Sequence, residues 1–202
     1  MIEIAALYVQ KRGSYAGLEG VDPWTEERDA RLYAGPLPVV AHPPCSRWCA
    51  LAGLVQARYG HRKGDDGGCF AAALASVRRW GGVLEHPAHS LAWPAFDLPR
   101  PSVAGGWQRG MCGGWSCHVE QARYGHRARK ATWLYVFGTD TPPALLWGRT
   151  TDPLAWVGYG ENRSTKQVER LTKREASKTP PAFRDMLIEL ARSCSGAATV
   201  GA

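Results

Sequence analysis

Residues 37–87 carry the pattern that most narrows the fold. "LPVVAHPPC" is an apolar run stopped by paired prolines, "GCFAAALASVRRW" is Ala-rich with apolar residues at helical spacing, and "GGVLEHP" is a short apolar run that again ends on proline. Strand, helix and strand in that order form the crossover unit of a parallel sheet. "IEIAALYVQ" supplies an earlier buried strand, and Asp22 before Pro23 predicts an N-capped helix through "WTEERDARLY". The expected class is α/β, and in such sheets working residues gather at the carboxyl ends of the strands.

Downstream, "LAWPAFDLPRPSVAGGWQRGMCGGW" reads as a long shaped loop, and "WSCHVEQARYGH" with "KATWLYVFG" as a hairpin around a basic turn. Residues 139–163 are loop-like in composition. "PAFRDMLIELARSC" predicts a terminal helix with Pro181 near its start and Phe183, Leu187, Leu190 and Ala191 on one face, followed by a frayed "SGAATVGA". At 202 residues the chain is expected to hold a catalytic core over 1–140 and a small extension over 141–202 whose helix packs back on it.

The heptapeptide "QARYGHR" occurs twice, at 56–62 and 121–127. The first copy runs into glycine-rich "KGDDGG" and the second into a Thr/Trp/Leu/Tyr/Val strand, and no longer period links them. The copies are therefore expected to share composition without sharing a structural context.

No apolar stretch is long enough to span a membrane, and the first residues lack the pattern of a secretory signal, which predicts a cytoplasmic protein. Its six cysteines then read as thiols, open to catalytic or metal-binding roles. The net charge of +7 is uneven: residues 1–100 hold 11 Lys/Arg against 10 Asp/Glu, and 101–202 hold 14 against 8. Such a basic half suits a phosphate-bearing partner, although a merely solvated basic surface has the same composition.

Cys45 follows two prolines at the end of a strand, on a stiff turn facing a cleft; a buried structural thiol is the plainer reading. Glu85 ends the adjacent strand on the same sheet edge. A thiolate and a carboxyl converging there suit a pyrimidine ring, the sulfur adding at carbon 6 while the carboxyl hydrogen-bonds the ring nitrogen and exocyclic amine. Gln121 and Arg123, two apart at the start of a predicted strand, are expected on one face, with the guanidinium binding the base or a phosphate. Arg127, Arg129 and Lys130 follow with no acid between, which is also the pattern of a solvated turn.

"PPC", then "DDGGCF" leading to "LEHP", then "QAR", resembles the ordered signature of the cytosine-5 DNA methyltransferases, and looks close to compact phage-type members. The resemblance covers Pro43 to about Trp133 and, more loosely, the terminal helix. It implies a reduced Rossmann-like methyltransferase sheet, mostly parallel with a C-terminal hairpin. It also implies Cys45 as nucleophile, Glu85 on the cytosine edge, and Gln121 and Arg123 supporting base and backbone. Pro44, Ser46, His86, Arg127 and Lys130 would flank the substrate. The first heptapeptide, with Arg58, His61, Arg62 and Lys63, would lie on a mobile loop closing over phosphates. On this reading Arg123→Ala abolishes activity while Arg58→Ala only weakens binding.

Departures from the family pattern shape the expectation. His86 stands where the family has Asn, Gly125 replaces the second Arg of the strand motif with Arg127 nearest, and no glycine-rich S-adenosylmethionine loop is recognisable in "YVQKRGSYAGL". The donor is accordingly either S-adenosylmethionine, giving a methyl group, or methylenetetrahydrofolate, giving hydroxymethyl. The substrate is DNA or a free pyrimidine nucleotide. Competing classes are a nucleic-acid-binding module and a zinc deaminase built on "HVE" (118–120) and "PCSRWC" (44–49), with a structural zinc on Cys45, Cys49, Cys112 and Cys117 as a further possibility.

Overall fold

A computed structural model of the chain describes residues 1–49, 52–151, 155–156 and 169–194. Seven strands form one mixed sheet: β1 (Ile4–Leu7), β2 (Val21–Trp24), β3 (Val39–Ala41), β4 (Gly82–Pro87), β5 (Gln108–Arg109), β6 (Trp115–Glu120) and β7 (Ala131–Phe137), in the order β2-β1-β3-β4-β7-β6-β5. β2, β1, β3 and β4 are mutually parallel, and β7, β6 and β5 then alternate antiparallel. The α/β class is the one expected, and the C-terminal hairpin forms as β6 and β7.

Alternation along the strands divides the core between two faces. Ile4, Ala6, Val40 and Val83 pack with Phe183, Leu187 and Leu190 of helix α5 (Pro181–Arg192). Ala5, Leu7, Val39, Ala41 and Leu84 pack with Phe70, Ala73, Leu74 and Val77 of helix α2 (Cys69–Trp80). Each fully buried Phe or Leu at these positions stabilises the fold by about 2 kcal/mol relative to exposure. Gly82 lets β4 leave α2 tightly against β3, since a Cβ there would lie 2.0 Å from the Val39 carbonyl oxygen at a left-handed φ of +123.

The region after β1 differs from expectation. Asp22 and Pro23 lie in strand β2, not at a helix start; β2 is an edge strand, where a missing N–H is tolerated. Pairing with β1 and burial of Val21 outweigh the local capping preference, and the Asp22 carboxylate instead accepts from Trp24 Nε1 and Arg28. Two short 3-10 turns follow, Glu26–Arg28 and Ala30–Leu32.

Helix α1 (Ala52–Tyr59) carries the first four residues of the first heptapeptide, which was expected in a loop. The second heptapeptide begins with a 3-10 turn, Gln121–Tyr124, rather than a strand. A short helix, α3 (Ala92–Ala95), follows β4. Beyond β7, a two-stranded pair of β8 (Ala155–Trp156) and β9 (Glu169–Arg170) precedes helix α4 (Lys173–Ser177), which starts with a reciprocal Thr172/Glu175 capping box. Within 139–163, expected as loop, Ala155 and Trp156 instead form β8, while 152–154 and 157–163, like the tail at 195–202, lie outside the described residues.

Candidate functional site

β3 and β4 end side by side. Val40 and Val83 point to the α5 face, so His42 and Glu85, each two residues further on, emerge on that same face. The His42 amide donates to the Leu7 carbonyl at 3.1 Å, tying the end of β3 to β1. Pro43 and Pro44 then carry the chain to Cys45, whose carbonyl closes a turn with Trp48 N at 3.0 Å.

His42 Nδ1 meets Glu85 Oε2 at 2.9 Å, and His42 Nε2 meets the Tyr15 hydroxyl at 2.8 Å. Burial, and next the Glu85 charge, push the Tyr15 phenol up, so it keeps its proton. Burial alone would raise Glu85; the hydrogen bond and charge of His42, with Lys130 behind it, outweigh that and hold its carboxyl below the usual range. An ionised carboxylate only accepts, so His42 Nδ1–H donates to Glu85, and Nε2 shares a hydrogen bond with the Tyr15 hydroxyl on the far side of the ring.

Gln121 reaches Glu85 from the other side. Its Nε2 donates to Glu85 Oε1 at 3.3 Å and to Thr132 Oγ1 at 3.0 Å. Thr132 Oγ1 spends its proton on the Lys130 carbonyl, which fixes the amide orientation and leaves Gln121 Oε1 buried without a partner among the described residues. Lys130, in a left-handed turn at φ 42, donates from Nζ to the Lys178 carbonyl at 2.7 Å. Burial draws its ammonium down, while the charges of Glu85 and Cys45 act the other way.

Cys45 is half-buried, and its thiol is raised first by burial, then by the Glu85 carboxylate and by Cys49, against the pull of Lys130. The resting state is therefore a Cys45 thiol within the field of an ionised Glu85 carboxylate. Only 14% of the Glu85 side chain is exposed, enough for contact from the cleft but too little for free hydration.

Sequence reasoning placed Cys45, Glu85, Gln121 and Lys130 in one neighbourhood, and the fold brings these four together. Of the other expected neighbours, Pro44 and Ser46 flank Cys45 on its turn and the rest lie elsewhere. His86 faces the opposite side of the sheet against Phe70 and Trp93, bonded to Ser90 Oγ at 2.7 Å and drawn down to about 4 by burial. Arg123 is exposed and grips the Gly148 and Arg149 carbonyls, because the 3-10 turn sends it away from Gln121. Arg127 pairs with Glu169 and Glu175, and Arg129 donates to the Thr150 carbonyl, so the arginines of this turn hold later segments of the chain. Pro44, Ser46, Arg58 and Arg62 are exposed around the Cys45 turn and α1.

Tyr15, His42 and Thr132 escaped sequence reasoning. His42 was legible from the alternation of "VVAH", which sets it on the Val40 face; nothing in the sequence marks Tyr15.

The zinc arrangements do not form. His118 accepts from Trp133 Nε1, Glu120 accepts from the Thr150 amide, and Cys117 is fully buried within β6. Among the described residues no group of three or more His, Cys, Asp or Glu side chains is placed to hold a metal ion.

A cavity of about 840 Å³ opens beyond the carboxyl ends of β1 and β2, lined by Tyr8, Lys11, Glu26, Glu27 and Arg31, with Pro44 on its wall. It adjoins the switch between β1 and β3, where strand order reverses and open α/β sheets bind ligands. The Tyr8 side chain lines it, and its buried hydroxyl has no hydrogen-bond partner among the described residues. Among the described residues no helix is long and apolar enough to cross a membrane. No protein-family model matches the chain, and no curated protein matches it.

Proposed function

We propose that the chain is a cytosine C5-modifying enzyme acting on DNA, with Cys45 as nucleophile and Glu85 as the acid–base partner. The observation that carries this reading is the Cys45 thiol, on the turn that leaves β3, near enough to the part-buried, hydrogen-bonded Glu85 carboxylate of adjacent parallel β4 for that charge to act on the sulfur. Addition requires the Sγ–C6 bond to form, the thiol proton to leave and a proton to reach ring nitrogen N3. A resting thiol and carboxylate carry one proton between them, so Glu85 can take it from sulfur and give it to the ring. C5 thereby becomes nucleophilic; once it has accepted a one-carbon unit, its proton leaves to solvent, Sγ departs as a thiolate, and the N3 proton returns through Glu85 to sulfur, which restores the ring and the free thiol.

Sheet order supports the finer fold reading. β2, β1, β3 and β4 form the parallel block, and β6 runs in the direction of β4 with antiparallel β7 between them, as in a reduced Rossmann-like methyltransferase sheet. The cavity beside Pro44 fits a one-carbon donor in size, and its orphaned Tyr8 hydroxyl needs a polar partner. Glu26 and Glu27 beside Lys11 and Arg31 suit the amine and hydroxyls of S-adenosylmethionine as well as the carboxylates of methylenetetrahydrofolate. Either donor supplies an electrophilic carbon when bound.

A DNA partner is supported by Arg47, Arg58, Arg62 and Lys63, which cluster after Cys45 and form no ion pair with a described residue. Nucleosides from cells expressing the wild-type protein or Cys45→Ala, compared by mass spectrometry, test the reading. A modified cytosine present only with wild type is expected, and its mass separates the donors. Identical nucleosides in both, with wild type turning over a free pyrimidine nucleotide instead, would move the substrate from DNA to the monomer.

A further inference from the structure

Nothing in the proposed chemistry requires Tyr15 or His42, yet both are built into the site. We infer that they are positioning residues that lock the Glu85 carboxyl, covering Oε2 and leaving Oε1 as the edge offered to a bound base. The inference rests on the reading of Glu85 as the group that meets the base.

A glutamate carboxyl at a strand end rotates unless something holds it. Here Oε2 takes a 2.9 Å hydrogen bond from His42, and the far side of that ring is held at 2.8 Å by Tyr15, so turning the imidazole breaks both bonds at once. An outer partner that fixes the orientation of an inner ligand acts in the same way at metal sites. The opposite oxygen is held less firmly. Its bond from Gln121 is 3.3 Å long, and Gln121 keeps its 3.0 Å bond to Thr132 if a substrate group displaces the first.

Tyr15 is itself fixed, with 3% of its surface exposed. The preceding Ser14 donates from Oγ to the Thr179 carbonyl and accepts Arg184 Nη1 on its own carbonyl. The chain of contacts thus runs from the start of α5 through Ser14, Tyr15 and His42 to Glu85, which gives the terminal helix a part in the site as well as in the core. The charged and titratable groups that act on Glu85 are His42 and Lys130, with Cys45 and Tyr15 near it and His86 across the sheet, and those that act on Tyr15 are His42, Glu85, Arg184 and Asp185.

The test labels glutamate carboxyl carbons with ¹³C, assigns Glu85 by its loss in Glu85→Gln, and follows its titration in wild type, His42→Ala, His42→Asn and Tyr15→Phe. Asn keeps an N–H near the Nδ1 position, and Phe removes a single oxygen, so both variants separate the lock from general damage to the fold. Wild-type Glu85 is expected to titrate below the ordinary glutamate range. His42→Ala should move it upward by about one pH unit or more, Tyr15→Phe by less, and His42→Asn should return it most of the way. In parallel, kcat for cytosine modification should fall about 100-fold in His42→Ala with KM little changed, and recover in His42→Asn. A Glu85 titration unmoved in a folded His42→Ala protein overturns the lock. If the wild-type protein modifies no cytosine, the proposed function falls while the titration still decides whether the lock exists.

Discussion

Two copies of one heptapeptide sit about as differently as seven residues can. In both, the first four residues make a helical turn closed by a left-handed glycine whose amide returns to the glutamine carbonyl, Gly60 to Gln56 and Gly125 to Gln121. The expectation that they share no structural context is thus corrected at the backbone: the local sequence sets a turn and a glycine exit in both places. Side-chain fates diverge. Gln56, Arg58, Tyr59, His61 and Arg62 are exposed on and after α1, with Arg58 over the Tyr59 ring. Gln121, Tyr124 and His126 are buried, against Glu85, Phe183 and the Ala128 backbone respectively. The same seven residues become a solvent-facing basic surface in one place and a structural and chemical anchor in the other, because only the second is laid between β6, β7 and α5.

Paired substitutions sharpen that contrast. Tyr124→Ala removes a ring packed on Phe183 and a hydroxyl that accepts the Leu146 amide, and should lower the unfolding free energy by about 3 kcal/mol, against less than about 0.5 kcal/mol for Tyr59→Ala. Equal losses in chemical denaturation would break the comparison at its strongest point. Gln121→Ala should reduce turnover about 100-fold and Gln56→Ala less than about 2-fold, as steady-state kinetics would reveal, because only the first orients a reacting group.

The buried histidine of the second copy couples stability to pH. Burial holds His126 below its ordinary value, so the unfolded chain binds a proton there that the folded chain refuses. The stability this gives is complete above the usual histidine range and is lost as pH falls through it towards the folded value. His126→Gln should flatten that acid limb in thermal unfolding followed across pH. The smallest effects concern DNA affinity. Arg58→Ala and Arg62→Ala should each reduce the slope of log affinity against log salt by about 1, while Arg123→Ala, whose guanidinium serves the 148 and 149 carbonyls, should not alter it.

Legibility in the sequence followed the range of the forces involved. β3, α2 and β4 were readable because alternation, helical spacing and terminal prolines are local, and Cys45 and Glu85 came with them because both sit beside those prolines. β2 was misread since its edge pairing with β1 is not written in "VDPW". Arg123 was placed on a strand because β6 was extended past Glu120, where the backbone in fact turns. Tyr15 was invisible: its position depends on Ser14 contacts with Thr179 and Arg184, 165 and 170 residues away.

The central claim, that Cys45 adds to C6 of a cytosine held by Glu85, is tested most directly with an oligonucleotide in which 2-pyrimidinone, whose C6 is open to thiolate addition, replaces one cytosine. Intact mass and peptide mapping should find one covalent adduct per chain, located on Cys45, absent in Cys45→Ala and strongly reduced in Glu85→Gln. A wild-type protein that binds this oligonucleotide but forms no adduct, or forms it on another cysteine, would contradict the account.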